Sequence, residues 1–218
     1  PSEVGCPSMF VEVGSAEPQW RDPGAARAVA RSILALRGVD PHRERQVVGF
    51  GGGHYVPRFL RVLRETPWTV GHVGADWCLD SMGDPRENRE VVARAFEQSA
   101  TERAVVDGDH PELVAVIEDL GYEVVSETWI REVGDRPLEL VGAVEDRLGD
   151  VDGGVRFGDR TTRAFEVVEL PGDLLSEAQG IDPDRTRSAV ESHAVAFETR
   201  EGASRVADRA ALPEGCYE

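Results

Sequence analysis

The run Gly49-Phe50-Gly51-Gly52-Gly53-His54-Tyr55-Val56-Pro57-Arg58-Phe59 ends an apolar segment in three consecutive glycines and then presents an imidazole. Without Cβ atoms at 51, 52 and 53, backbone N–H groups can approach a substrate oxygen closely, and the chain can take φ > 0. His54, where that bare backbone ends, suits a general acid/base or a metal ligand, the two roles an imidazole performs near neutral pH. An ordinary glycine-rich turn with a surface histidine has the same residue types and spacing.

Other residues bear on such a site. His72 lies in the apolar run Thr69–Val73. If that run neighbours the one ending at Gly51, His54 and His72 converge on one mouth, and with a carboxylate such as Glu12 they compose a zinc or acid/base site. No HExxH or HxH pattern accompanies them, and a strand histidine is equally a satisfied core residue. Glu12, inside Met9-Phe10-Val11-Glu12-Val13, is a water-orienting base, a metal ligand or a carboxylate facing water. Glu127, in Ser126-Glu127-Thr128-Trp129, interrupts an expected strand where packing favours Val or Ile. Arg58, Arg61 and Arg64 recur three apart, along one side of a short helix. They would contact phosphate or pair with carboxylates such as Glu65. Ser15 lacks the G-x-S-x-G elbow of a serine nucleophile. Asp107-Gly108 and Asp76-Trp77 read as turn and cap residues, and His42, His110 and His193 as solvated.

The stretch Val48–Phe59, together with Phe10-Val11-Glu12-Val13-Gly14-Ser15 followed by Trp20, resembles the archaeal-type D-aminoacyl-tRNA deacylases. Further matches are Gly71-His72-Val73, Val105-Val106-Asp107-Gly108, and Gly121-Tyr122 running into Ser126-Glu127-Thr128-Trp129, so the resemblance spans about Pro1 to Leu148. It implies hydrolysis of the ester joining a D-amino acid to the 3′ end of tRNA, zinc as cofactor, and a fold similar to phosphorylases and peptidyl-tRNA hydrolases. On this reading His54 and Glu12 are catalytic. Gly51, Gly52, Gly53, Tyr55, Arg58 and Glu127 bind substrate, and His54 and His72 hold metal. D-aminoacyl-tRNA is the partner, no protein partner is implied, and a monomer is expected. In the family this segment follows a His-His-Gly pair, so a chain opening on Pro1-Ser2-Glu3 is expected to be a fragment. Two other readings stay open: a non-catalytic RNA-end or nucleotide-binding module, and an enzyme like peptidyl-tRNA hydrolases or nucleoside phosphorylases.

A chain of 218 residues with 40% hydrophobic content can bury one substantial core and a small appendage. Its 41 Asp+Glu against 24 Lys+Arg give a net charge of -17, and every one of the 24 is arginine. Such a surface suits a cytoplasm full of salt and repels itself at low ionic strength, so a halophilic origin is expected. It also argues against broad electrostatic RNA binding; a tRNA would be held by shape, stacking and a few local arginines. Cys6, Cys78 and Cys216, odd in number and without CxxC spacing, exclude a disulfide framework or zinc knuckle, and Cys78 reads as a small buried hydrophobe. No stretch approaches a membrane span and the acidic N-terminus is not a signal peptide, which makes the cytoplasm the expected location.

Short β-branched runs alternate with amphipathic segments, which predicts an α/β fold with a mixed or largely parallel sheet flanked by helices. Strands are expected over Met9–Val13, Gln46–Phe50, Thr69–Val73, Ala104–Asp107, Glu123–Glu132 and Ala164–Leu170. Helices are expected from Asp22-Pro23 to Leu36, with Ala28, Val29, Ile33 and Leu36 as a buried stripe, and over Pro57–Glu65, Asp84–Ser99, Pro111–Leu120, Pro137–Leu148 and about Asp182–Glu198. At Gly149 the texture becomes that of a linker. Residues 1–148 are therefore assigned to the deacylase-like region and 149–218 to a linker and truncated α+β extension of unknown role.

Overall fold

The structure, a computed structural model, describes residues 11, 13–39 and 43–215. Its contacts divide the chain into two units, Pro1–Glu44 and Arg45–Glu218. The first holds α1 (Glu17–Trp20), α2 (Pro23–Ala35) and a 3-10 turn at Leu36–Gly38. The Asp22 side chain accepts from the Gly24 N–H at 2.7 Å with Pro23 in the first turn, the expected start signal. The expected buried stripe is not realised: no residue of α2 is buried, and Ile33 and Leu36 are each 50% exposed. Within this unit only the four-residue α1 accompanies the helix, too little apolar surface to close over it. The strand expected over Met9–Val13 falls largely outside the described residues, as do Glu12 and His42.

The second unit is built on a four-stranded sheet of β1 (Gln46–Gly51), β2 (Thr69–Gly74), β3 (Arg103–Asp107) and β4 (Glu123–Val124), all parallel, in the order β2-β1-β3-β4. Between them run α3 (Pro57–Glu65), α4 (Asp76–Met82), α5 (Arg89–Ser99) and α6 (Pro111–Asp119), followed by α7 (Glu127–Val133) and α8 (Leu138–Arg147). Successive residues of β1 point to opposite faces. Val47 packs with Phe59 and Val62 of α3 and with Trp129, Ile130 and Val133 of α7, whereas Val48 and Phe50 pack with Phe96 of α5 and Val116 of α6. The chain steps one way from β1 to β2 through α3. It then steps back across β1 to β3 and on to β4 through α5 and α6. A single crossover hand sends those two directions to opposite faces, as found. The fold is therefore α/β, a parallel sheet covered by helices on both sides.

From Gly149 onward the chain forms a second sheet, antiparallel, of β5 (Val155–Phe157), β6 (Phe165–Glu169), β7 (Ala196–Arg200) and β8 (Arg205–Pro213) in the order β5-β7-β8-β6. Alternation again sorts its side chains. Ala196 and Ala211 join the core that contains Val47 and Trp129, while Phe197 and Ala210 face α9 (Gly172–Ile181) and α10 (Pro183–His193) through Leu175 and Val190. The texture change at Gly149 thus coincides with a change of sheet type, and one hydrophobic core runs across it.

Several expected elements differ. The helix expected over Asp84–Ser99 begins at Arg89: Asp84 Oδ1 accepts from the Arg86 N–H at 2.8 Å in a turn, and α4 precedes it. The strand expected over Glu123–Glu132 stops at Val124, because Ser126 caps a helix by accepting from the Trp129 N–H at 3.0 Å. The helix opened by Asp182 ends at His193, where β7 takes over, and α9 has no counterpart in the sequence reading. Cys78 on α4 is half-buried. No described helix is long and apolar enough to cross a membrane.

Candidate active site

β1 and β3 lie side by side, and the chain leaving them departs to opposite faces, through α3 and α6. Open α/β sheets form their ligand crevice at this kind of switch point, outside the carboxyl ends of the strands. The glycine run sits there. Gly51 and Gly52 have φ of +85° and +80°, and a Cβ would stand 2.0 Å from the Asp107 carbonyl oxygen at Gly51 and 2.7 Å from Asp107 Oδ2 at Gly52. Two of the three glycines are thus demanded by the approach of β3. Gly53 differs, since nothing lies within 4 Å of the place its Cβ would take.

Neighbouring backbone groups fix the turn. The Asp76 N–H donates to the Gly52 carbonyl at 3.0 Å, and the Val56 N–H to the Gly53 carbonyl at 2.9 Å. Val56 takes φ 41°, an outlier for a β-branched residue and doubly so before Pro57. Strain of this kind persists where surrounding structure holds it. The N–H groups of Gly53 and His54 have no acceptor among the described residues, so both are available to a ligand. His54 is exposed, its ring edge-on to Tyr55 at 4.9 Å between centroids, and Tyr55 itself is 80% exposed.

His72 is placed otherwise. Its Nδ1 lies 2.9 Å from Ser99 Oγ, and its backbone N–H donates to the same oxygen at 3.0 Å, so it is tied to the end of α5. No contact joins it to His54 among the described residues. Nor do those residues contain any group of three or more His, Cys, Asp or Glu able to hold a metal ion. The zinc implied by the resemblance therefore has no ligand set among them, and no chemical step below runs through it.

Two residues read from sequence as solvent-facing or as a cap meet at the mouth. His110, two residues after Gly108, places Nε2 3.2 Å from Oδ1 of Asp76, the first residue of α4. A Cβ on Gly51 or Gly108 would come within 3.0 or 3.1 Å of that same Nε2. The imidazole thus lies over the ends of β1 and β3. It also borders a cleft of about 390 Å3 with Leu79, Met82, Pro85 and Leu113. The signal was a second histidine just past a β-branched run, in Val105-Val106-Asp107-Gly108-Asp109-His110, masked by its polar neighbours.

On the other side of β3 the arginine row meets carboxylates. Arg58 Nε lies 3.2 Å from Asp107 Oδ1 and 3.7 Å from Glu127 Oε2, and its Nη1 donates to the Val106 carbonyl at 3.2 Å. Glu127 also receives Arg61 at 3.1 Å and Arg131 at 2.9 Å. The Arg61 hydrogen bond, followed by that of Arg131, holds the Glu127 carboxyl below the usual carboxylate range, although its burial pulls the other way. Glu127 therefore clamps α3 to α7. Arg58, Glu127 and Arg131 with Ser126 and Thr128 border a polar cleft of about 540 Å3.

A family model described as D-aminoacyl-tRNA deacylase matches residues 1–125. The D-aminoacyl-tRNA deacylase of Natronomonas pharaonis is 56% identical over 215 residues, 97% of this chain and 49% of that protein. Those of Halorubrum lacusprofundi and Halobacterium salinarum are each 50% identical, over 98% of this chain and 47% and 48% of theirs. A solved structure, of a conserved protein of unknown function, aligns with a TM-score of 0.45 and 26% identity over 54% of this chain and 42% of that one. The chain spans about half the length of the curated relatives it matches. With the family model matched over more than half of its residues, and the glycine run and its histidine inside that match, this chain belongs to the D-aminoacyl-tRNA deacylase family.

Proposed function

We propose that the protein carrying this chain hydrolyses the ester of D-aminoacyl-tRNA, acting in the cytoplasm as a monomer and releasing the free D-amino acid and tRNA. The observation that carries this reading is the mouth at the switch point, where glycine-softened backbone leaves two N–H groups open beside an exposed imidazole in a chain of this family. Ester hydrolysis needs an attacking water, donors for the oxyanion and a proton for the leaving oxygen. The N–H groups of Gly53 and His54 supply the donors, and the His54 imidazole exchanges protons at the same turn. Tyr55, 80% exposed, offers a face on which the terminal base of an RNA can stack. Arg58, already between Asp107 and Glu127, gives a local positive charge to an otherwise acidic surface. Glu12 enters as the carboxylate that would orient the water.

The test is single-turnover hydrolysis of D- and L-aminoacyl-tRNA by the intact natural protein and by His54→Ala. Hydrolysis of the D ester with the L ester spared, and a loss of about a hundredfold or more in the variant, supports the reading. A protein that binds tRNA and turns over neither ester would instead be an RNA-end binding module.

A further inference from the structure

We infer that His110 is a second imidazole of this site, positioned by Asp76 to act as the general base toward water while His54 serves the leaving group. The inference deepens the deacylase reading and rests on it. A carboxylate can only accept, so the 3.2 Å contact with Asp76 Oδ1 places the proton of neutral His110 on Nε2. That leaves Nδ1 as the basic nitrogen. Gly108 and Gly51 lie against Nε2, and Gly108 also against Cδ2. Nδ1 is therefore on the opposite edge of the ring, and it has no partner among the described residues. The residue is partly open, with 26% of its side chain exposed, and it faces the cleft floored by Leu79, Met82 and Leu113.

The two imidazoles at the mouth differ in their surroundings, and that difference assigns their roles. His110 has a carboxylate behind it, which stabilises the imidazolium formed when Nδ1 takes a proton from water. His54 has only the Tyr55 ring beside it, which leaves its protonated form free to give a proton away. In the step, water oxygen bonds to the ester carbonyl carbon as its proton passes to His110 Nδ1. The carbon–oxygen bond to the tRNA ribose then breaks, and His54 protonates the leaving oxygen. The water proton later returns from His110 to solvent, and solvent reprotonates His54, so atoms and charge balance. Other charges near His110 are Asp107, Asp109, which shares its cleft, and Glu112, which pairs with Arg86 at 3.2 Å.

The test uses His110→Ala, His110→Gln and Asp76→Asn in the intact protein, with single-turnover rates and circular dichroism measured together. We expect His110→Ala to lower the rate about a hundredfold with KM little changed, and added imidazole to recover part of the loss. Asp76→Asn should lower kcat about tenfold, with Asp76→Glu restoring it. The double variant should be no slower than His110→Ala, as for residues acting as a unit. Folded His110→Gln at the wild-type rate, or a rate loss in His110→Ala that imidazole cannot touch, overturns the inference while the deacylase reading stands. A wild-type protein inert toward D-aminoacyl-tRNA overturns both. If His110→Ala does not fold, His110→Gln, which keeps a donor toward Asp76, decides alone.

Discussion

The carbonyl oxygen of Asp107, at the tip of β3, stands 2.0 Å from where a Cβ on Gly51 would be. The close approach of β1 and β3 at their carboxyl ends, which creates the mouth, is therefore written into the first glycine of the run, and the freedom to bind substrate into the third. Gly51→Ala meets both that oxygen and a φ of +85°, so it should lower stability by at least about 1–3 kcal/mol. Gly53→Ala meets nothing within 4 Å and should melt with the wild type. Denaturant unfolding of the two variants side by side checks this. Equal stabilities would mean that the strand ends separate more easily than their geometry implies.

Glu127 gives a prediction with a sign. Its carboxyl is held low by Arg61 first and Arg131 second, so its contribution to folding is fully present above the usual carboxylate range. It is lost as pH falls through the lowered value. Glu127→Gln should therefore melt lower at neutral pH, by about 1 kcal/mol once the exposure of both arginines is allowed for, and the gap should close on acidification. Melting curves of both proteins across a pH series, at fixed salt, test it. A gap constant with pH would assign the loss to packing.

The parallel sheet was legible because Val47-Val48, Val105-Val106 and their neighbours are β-branched runs closed by glycine, and the helices after them open on Pro57 and Pro111. α7 was misread because Val124-Val125 and Trp129-Ile130 carry strand propensity. The spacing of its buried Trp129, Ile130 and Val133 is nonetheless helical, and Ser126 marks its start. The antiparallel sheet was partly hidden: β8 is largely alanine and arginine, weak strand formers that work here because small side chains let the layers pack. Of the site, His54 could be found from its glycines. The His110–Asp76 pair could not, because 34 residues separate the two in sequence and only the strand order brings the ends of β2 and β3 to either side of β1.

Glu145 behaves oppositely to Glu127. Burial pushes its carboxyl up, although Trp129 Nε1 and the Val151 N–H both donate to its Oε1, at 2.9 and 3.2 Å. The folded state thus holds this proton more tightly than the unfolded chain does, and stability falls as pH rises through the carboxylate range. A glutamine keeps an oxygen for both donors and carries no charge to desolvate. Glu145→Gln should melt above the wild type at neutral pH and equal to it once both carboxyls are protonated. A variant that melts lower at pH 7 would show that the charge strengthens those two hydrogen bonds by more than its burial costs.

The last prediction concerns salt. A net charge of -17 leaves seventeen more carboxylates than guanidiniums, and most ion pairs of the described residues are exposed, such as Arg86–Glu112 at 60% and 59%. Exposed pairs contribute little, so the surplus is not locally compensated. At 0.01 M ionic strength these charges repel over a Debye length of about 30 Å, comparable to the diameter of a small domain; at 1 M it is about 3 Å. Thermal stability should therefore climb steeply between those limits. Kosmotropic salts should then add a smaller gain by favouring apolar burial. Relatives from Natronomonas, Halorubrum and Halobacterium fit a chain that has excluded lysine. Melts from millimolar to molar potassium chloride, followed by a sulfate series, measure both effects. A Tm flat across the first series would mean that the carboxylates are neutralised in local networks, and the composition would then say nothing about the medium in which the protein folds.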